Sequence, residues 1–421
     1  MDKNKVYEYI DSSREDMISS LMELIESPSP DLEETQAQEI VLDSLKEMGF
    51  ETEAFRGDLE RVSTLPDYCD PGAEFREGIY NVAGVRKSAG SSPSLMLFAH
   101  IDTRPSVYGE FRDGKVVAQR RGGKIYGLGA ADDKGGVAMM LEAVRTALHF
   151  RPDLGYDLTV MSILGKRGGA FGTLSALTKG YTANSTLYIH PAETGHGFRE
   201  IKNISLGVID LKLTVDGVPG IPHDDLSEGI NANRVMAEAV CCLQEYSDSM
   251  KKTQTFPEGT FKGQPSYGIS VNSVQGSTLK AECTVRCRFY HPLTADTAEE
   301  GIRGQLESLL SGRYPGAGWK LERAGITAMP AETPEDSRIV KVTTGSIRDV
   351  CGPVEFIYQY HGGSDVRFPI LYGNSETFGI GPSCGLPSGP GEEWIDEEDY
   401  ITGIKILTTV LLSWNESTTH D

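Results

Sequence analysis

Apolar residues recur at helical spacing across Lys5–Glu26 and stop at Ser27-Pro28-Ser29-Pro30; a second amphipathic stretch, Thr35–Met48, closes at Gly49. The period then changes. Short apolar runs at Asn81–Val85 and Ser94–Ala99 predict strands, and the charged, glycine-bearing segment between Tyr108 and Lys124 predicts a hairpin or loop. Beyond it the pattern predicts a helix at Val137–Leu148, a buried strand at Asp157–Leu164, a short helix at Ala170–Lys179 and a strand at Thr186–Ile189. Strands alternating with helices in this way point to the α/β class, a mostly parallel sheet covered by helices.

Near Ile204 the order changes. Strand-like Ser205–Val215 is followed by helix Asn231–Met250, strands Tyr267–Val274 and Lys280–Tyr290, helix Thr294–Leu310 and strand Trp319–Ala324. That order, β-α-β-β-α-β, is the split ferredoxin-like module. The chain therefore reads as a first domain in two parts, residues 1–204 and 326–421, with an α+β lid inserted at 205–325. No internal repeat or low-complexity segment is visible.

Composition narrows the partners. The 421 residues suffice for more than one domain with a full core, and 40 basic against 61 acidic residues leave a formal charge of −21. Such acidity argues against a nucleic-acid partner. The seven cysteines, an odd number without a Cys-x-x-Cys pair, read as reduced thiols of a cytoplasmic protein. Cys283 and Cys287 read as core residues of a strand. The start lacks an apolar signal core, and no stretch approaches ~18 uninterrupted apolar residues, so no membrane partner is expected.

The candidate chemistry begins where strand Ser94–Ala99 delivers His100-Ile101-Asp102. Residues two apart on a strand face the same way, and a carboxylate beside an imidazole fixes its tautomer and raises its basicity, the usual support of a metal-bound histidine. Alone, His-x-Asp is a weak signal. About one crossover later comes Gly127-Leu-Gly-Ala-Ala-Asp132-Asp133-Lys134-Gly135-Gly136, whose glycines around an aspartate at a helix entrance imply tight backbone geometry.

Together the two runs resemble the dizinc exopeptidase and deacylase superfamily that includes acetylornithine deacetylase, succinyl-diaminopimelate desuccinylase, aminoacylase and carboxypeptidase G. The resemblance covers nearly the whole chain and implies the inserted lid, often used for dimerisation, hence a homodimer through the lid. It also implies that His100 is a metal ligand, that Asp102 orients it, and that Asp132 bridges two metals. The peptide after the bridging aspartate is often cis in that family, which makes Asp132-Asp133 the candidate.

Elsewhere the family pattern breaks. Its Asp-Glu-Glu-x-Gly-Gly-x-Gly-Thr run supplies a general base and a ligand of the second metal. Here the matching run is Gly165-Lys166-Arg167-Gly168-Gly169-Ala170-Phe171-Gly172-Thr173, which puts Lys166 and Arg167 at the two glutamate positions. The next ligand, an acid before proline, is matched by His190 in His190-Pro191. Imidazole can replace carboxylate on zinc. The C-terminal histidine of the second metal aligns with Gly389, between Gly381-Pro382-Ser383 and Glu392-Glu393-Trp394. A guanidinium would repel a divalent ion by ~8 kcal/mol at about 4 Å and an effective dielectric of about 20.

The expectation is thus at most one zinc per chain, held by His100, Asp132 and His190, with none as the other limit. Lys166 or Arg167 is a candidate fixed charge in place of a metal, and Glu193 or His196 a substitute base. For substrate, Gly363 and Arg367 in Gly362-Gly363-Ser364-Asp365-x-Arg367 resemble a carboxylate-binding segment. In the lid, Asn272, Arg288 and His223 resemble substrate-contacting positions. Three functions stay open: hydrolysis of an amide bond in an N-acyl amino acid or peptide-like carboxylate, a non-catalytic homologue binding such a ligand or a partner, and altered chemistry that uses Lys166 or Arg167.

Overall fold

The computed structural model describes residues 2–30, 34–68, 80–104, 111–112, 115–166, 171–192, 194–221, 229–385 and 392–416; Arg167, Glu193, His223 and Gly389 lie outside them. The central sheet runs in the order Glu51–Phe55, Asn81–Arg86, Tyr156–Ile163, Ser92–His100, Ser185–Ile189, Glu376–Ile380 and Glu200–Asp216. Its middle four strands, from Tyr156–Ile163 to Glu376–Ile380, are parallel. They are also the most continuously apolar, as strands covered on both faces must be. Leu95, Leu97 and Ala99 point into a core built with helices Arg14–Glu26, Thr35–Glu47, Lys134–Phe150 and Glu397–Ser413, while Met96 and Phe98 point into a core shared with Phe171–Lys179.

Two expected elements differ from the structure. The stretch Lys5–Glu26 is two helices, Lys3–Ser12 and Arg14–Glu26, because Ser13 leaves helical geometry (φ −97°, ψ 8°). The strand expected at Ser205 begins at Glu200 and runs unbroken to Asp216. Its first half is buried on both faces although it carries Glu200, Lys202 and Asn203; its second half alternates buried and partly exposed positions. The first half lies in the central sheet, parallel to Ile357–Gly362. The second half lies in the lid.

The lid sheet is antiparallel in the order Gly268–Gly276, Lys280–Phe289, Glu200–Asp216, Gly318–Ala328. Two helices cover one face. Ala232–Thr253 is capped by Asn231, whose side chain accepts from the Asn233 amide, and Ala295–Arg313 by a box between Thr294 and Thr297. Ile302, Leu306 and Leu310, spaced four apart, share a core with Ile209, Leu211 and Leu213 of the sheet. Each such large side chain contributes ~1.5–3 kcal/mol on burial. Among the described residues no helix is long and apolar enough to cross a membrane.

Candidate functional site

Parallel strands end on one side, so the residues that follow them converge there. His100 ends Ser92–His100, Lys166 follows Tyr156–Ile163 by three residues, and His190 follows Ser185–Ile189. Asp132 and Asp133, joined by a cis peptide bond, precede helix Lys134–Phe150. A Cβ at Gly136 would fall 2.4 Å from Asp133 Oδ1 and 2.7 Å from the Ile189 carbonyl, so glycine lets this helix start against the strand that carries His190.

His100 is fully buried between two acids. Its Nε2 lies 2.8 Å from Asp132 Oδ1; its Nδ1 lies 3.2 Å from the Asp102 carbonyl and 3.4 Å from Asp102 Oδ1. The Lys166 amide donates to the same Asp102 oxygen at 3.2 Å, and the His100 amide to Asp133 Oδ2 at 3.3 Å. Burial alone would lower the His100 pKa, but Asp132 and Asp102 outweigh it and raise it to about 10. Asp132 is correspondingly held well below the carboxylate range: burial would raise it, and His100 and His190 prevail.

His190 faces the opposite charge. Lys166 Nζ stands 2.8 Å from its Nε2 and donates to the Tyr188 hydroxyl at 2.6 Å; Lys202 Nζ stands 3.3 Å from its Nδ1. Asp132 Oδ1 is 3.4 Å from Nε2. Burial, then Lys166 and Lys202, push the His190 pKa well down, so the ring is neutral.

The scaffold around the pair comes from residues that motif reading passes over. Ser29 Oγ donates to the Ile101 carbonyl at 2.7 Å, and the Thr103 amide donates to the Ser29 carbonyl at 2.7 Å. Lys134, buried, donates to the Ile25 carbonyl at 3.3 Å and to that of Ser27, and burial lowers its pKa to about 7. The Ser-Pro turn thereby fastens the loop after Ser92–His100 and the start of helix Lys134–Phe150. Glu393 Oε1 accepts from the amides of Ala131 and Asp132 at 3.0 and 2.9 Å; burial raises its pKa to about 7. The only sequence signal for Glu393 is its place in Glu392-Glu393-Trp394.

Of the expected site residues, the structure brings together His100, Asp102, Asp132, Lys166 and His190. Arg288 is exposed, and its Nε lies 3.2 Å from where a Cβ of Gly362 would stand; the atoms nearest a Cβ at Gly363 would be Val208 Cγ2 at 3.9 Å and Ala328 Cβ at 4.0 Å. Asn272 is exposed at the irregular step of Gly268–Gly276, with Ser270 Oγ 3.3 Å from its Oδ1. Arg367 is buried and donates to Asp67 Oδ1 at 3.2 Å and to the carbonyls of Gly363 and Ser364 at 2.6 and 2.9 Å.

The donors His100 Nε2, Asp132 Oδ1 and a His190 nitrogen lie within 4.8 Å of one another. This mixed nitrogen and oxygen set could hold a metal ion: two ligand atoms each ~2.1 Å from a tetrahedral ion stand about 3.4 Å apart, the His190–Asp132 separation is 3.4 Å, and His100 Nε2 and Asp132 Oδ1 are at the closer hydrogen-bonding distance of 2.8 Å. Among the described residues no second such group of His, Cys, Asp or Glu appears.

Residues 96–413 match peptidase family M20/M25/M40. Over 409 residues, 94% of each protein, the chain is 24% identical to succinyl-diaminopimelate desuccinylase of Gluconacetobacter diazotrophicus. It is 29% identical over 212 residues to the Variovorax paradoxus protein of the same name, a match spanning 48% of this chain and half (50%) of that one. The fold is that of aminopeptidase PepT from Bacillus cereus, with a TM-score of 0.73 at 16% identity over 96% of this chain and 99% of the other.

Proposed function

The chain belongs to peptidase family M20/M25/M40, and from that premise we propose that it cleaves the amide bond of an N-acyl amino acid or a peptide-like carboxylate. The observation that carries the reading is the convergence of His100, Asp132 and His190 on one point at the ends of parallel strands. The relatives named succinyl-diaminopimelate desuccinylase support an acylated amino acid as the substrate class.

The proposed metal complement is one zinc at most, held by His100 Nε2, Asp132 Oδ1 and His190 Nε2. Zinc bound there would supply Lewis-acid polarisation of the scissile carbonyl and a coordinated water of lowered pKa. Asp102 keeps the His100 ring oriented through Nδ1, and Glu393 holds the amides that position Asp132. Lys166 brings a positive charge into the site, where it can stabilise a developing oxyanion. The exposed guanidinium of Arg288 beside Gly362 is the proposed anchor for the substrate carboxylate. Glu193 is the proposed base. A cytoplasmic homodimer joined through the lid completes the proposal.

The test is amine release from a panel of N-succinyl and N-acetyl amino acids and dipeptides, with His100→Ala as control. Release that disappears in the variant supports hydrolysis; absence of release across the panel overturns it. The two lysines around His190 favour a second reading, a homologue that binds such a ligand without turnover. Calorimetric binding of the same compounds without product would carry that reading.

A further inference from the structure

We infer that Lys166 is a tethered cation competing with metal for His190, so that this chain binds its ion only by displacing its own side chain. The inference rests on the proposed ligand set His100, Asp132 and His190. A neutral imidazole has one lone-pair nitrogen and one N–H, whereas an ammonium only donates. Metal ligation through Nε2 needs the lone pair there and the proton on Nδ1. In this structure Lys166 Nζ stands 2.8 Å from Nε2, in the space a metal ligated there would take. The Nδ1 that would carry the proton looks at Lys202 Nζ, 3.3 Å away, the reverse of the acceptor that normally supports a metal-bound histidine. His100, by contrast, has the Asp102 carboxylate at its Nδ1, 3.4 Å away.

Lys166 is also held in this competing position. Its Nζ donates to the Tyr188 hydroxyl at 2.6 Å, and its amide to Asp102 Oδ1 at 3.2 Å, so the leash starts inside the site. Tyr188 is itself fixed by stacking on Phe98, with ring centroids 4.6 Å apart. A ligand that needs a minor conformation binds more weakly by the fraction of time that conformation exists. With Lys166 withdrawn for about 1–10% of the time, zinc affinity falls ~10–100-fold.

The full chain and its Lys166→Met variant, both stripped by chelation, are titrated with Zn²⁺ by calorimetry against a competing chelator. Co²⁺ absorption reads the ligand set independently of turnover. The variant is expected to bind one ion ~10–100-fold more tightly than the native chain, and both saturated proteins are expected to give the same Co²⁺ spectrum, because the bound native ion has displaced Lys166. Equal affinities would overturn the inference, as would a saturated native spectrum with one nitrogen ligand fewer than the variant's, or absence of binding in both proteins. Should Lys166→Met fail to fold, Lys166→Ala carries the same comparison. Equal affinities with intact amide hydrolysis defeat this inference alone; tighter binding by the variant in a chain that cleaves none of the panel defeats the proposed hydrolysis alone.

Discussion

His100 ends one parallel strand and His190 follows its neighbour, with ring centroids 5.8 Å apart and Asp132 between them. Their surroundings are opposite in sign. Asp132 and Asp102 outweigh burial and raise the His100 pKa, whereas burial, then Lys166 and Lys202, lower that of His190, whose two nitrogens stand 2.8 and 3.3 Å from the lysine Nζ atoms. One half of the centre is backed by a carboxylate and the other by two ammonium groups. A ligand residue is therefore an insufficient description of a metal site; the charge behind each ligand decides whether it is available.

That comparison can be broken by removing each side in turn. His100→Ala should weaken Zn²⁺ binding by more than ~100-fold, whereas His190→Ala should cost less than ~10-fold in the native chain because Lys166 already takes up that nitrogen. Calorimetric titration decides it, and equal losses would erase the asymmetry. Asp102→Asn should weaken binding ~10-fold by loosening the His100 ring and removing its compensating charge. Lys202→Met should do the reverse and tighten binding about threefold, since it removes like charge while leaving Lys166 in place. A weaker rather than tighter complex would show that Lys202 supports His190.

An effect on stability rather than on binding is expected where opposite charges are matched. Glu397 accepts from Arg120 Nε at 2.6 Å and Arg14 Nη2 at 2.6 Å, and hydrogen bonding to Arg120 leads the causes that lower its pKa to about 2 despite partial burial. A carboxyl depressed on folding stabilises the native state above its unfolded pKa and loses that contribution as pH falls toward the folded value. Glu397→Gln should thus cost ~1 kcal/mol near neutrality, discounted for the partly exposed arginines. Thermal melts of the two proteins should converge between pH 4.5 and about 2.

Much of this was legible beforehand, for identifiable reasons. The parallel strands are apolar enough along Leu95–Ala99 and Asp157–Leu164 to read directly, and the lid is marked by alternation along Leu211–Val215. The beginning of the long strand at Glu200 was illegible because Glu200, Lys202 and Asn203 look like loop residues and are buried only by their neighbours. In the site, His100, Asp132 and His190 stand in recognisable motifs, and Lys166 is found by aligning glycines. Lys202 and Tyr188 carry no such mark; strand alignment brings Lys202 to His190 and Tyr188 to Lys166. Arg367 shows the converse, a residue in a recognisable motif whose partner, Asp67, lies far away in the chain and outside any pattern.

The strand Glu200–Asp216 has a mechanical corollary. The chain enters the lid along it and returns beside it through Gly318–Ala328, then rejoins the first half through Ala331–Glu332. Both passages are rungs of one ladder, so the lid is mounted on a leaf spring. Such a ribbon is stiff against sliding in its own plane and compliant to twist and to flexing where its register slips, between Ile209 and Leu211. Excising the lid would mean cutting through a continuous strand.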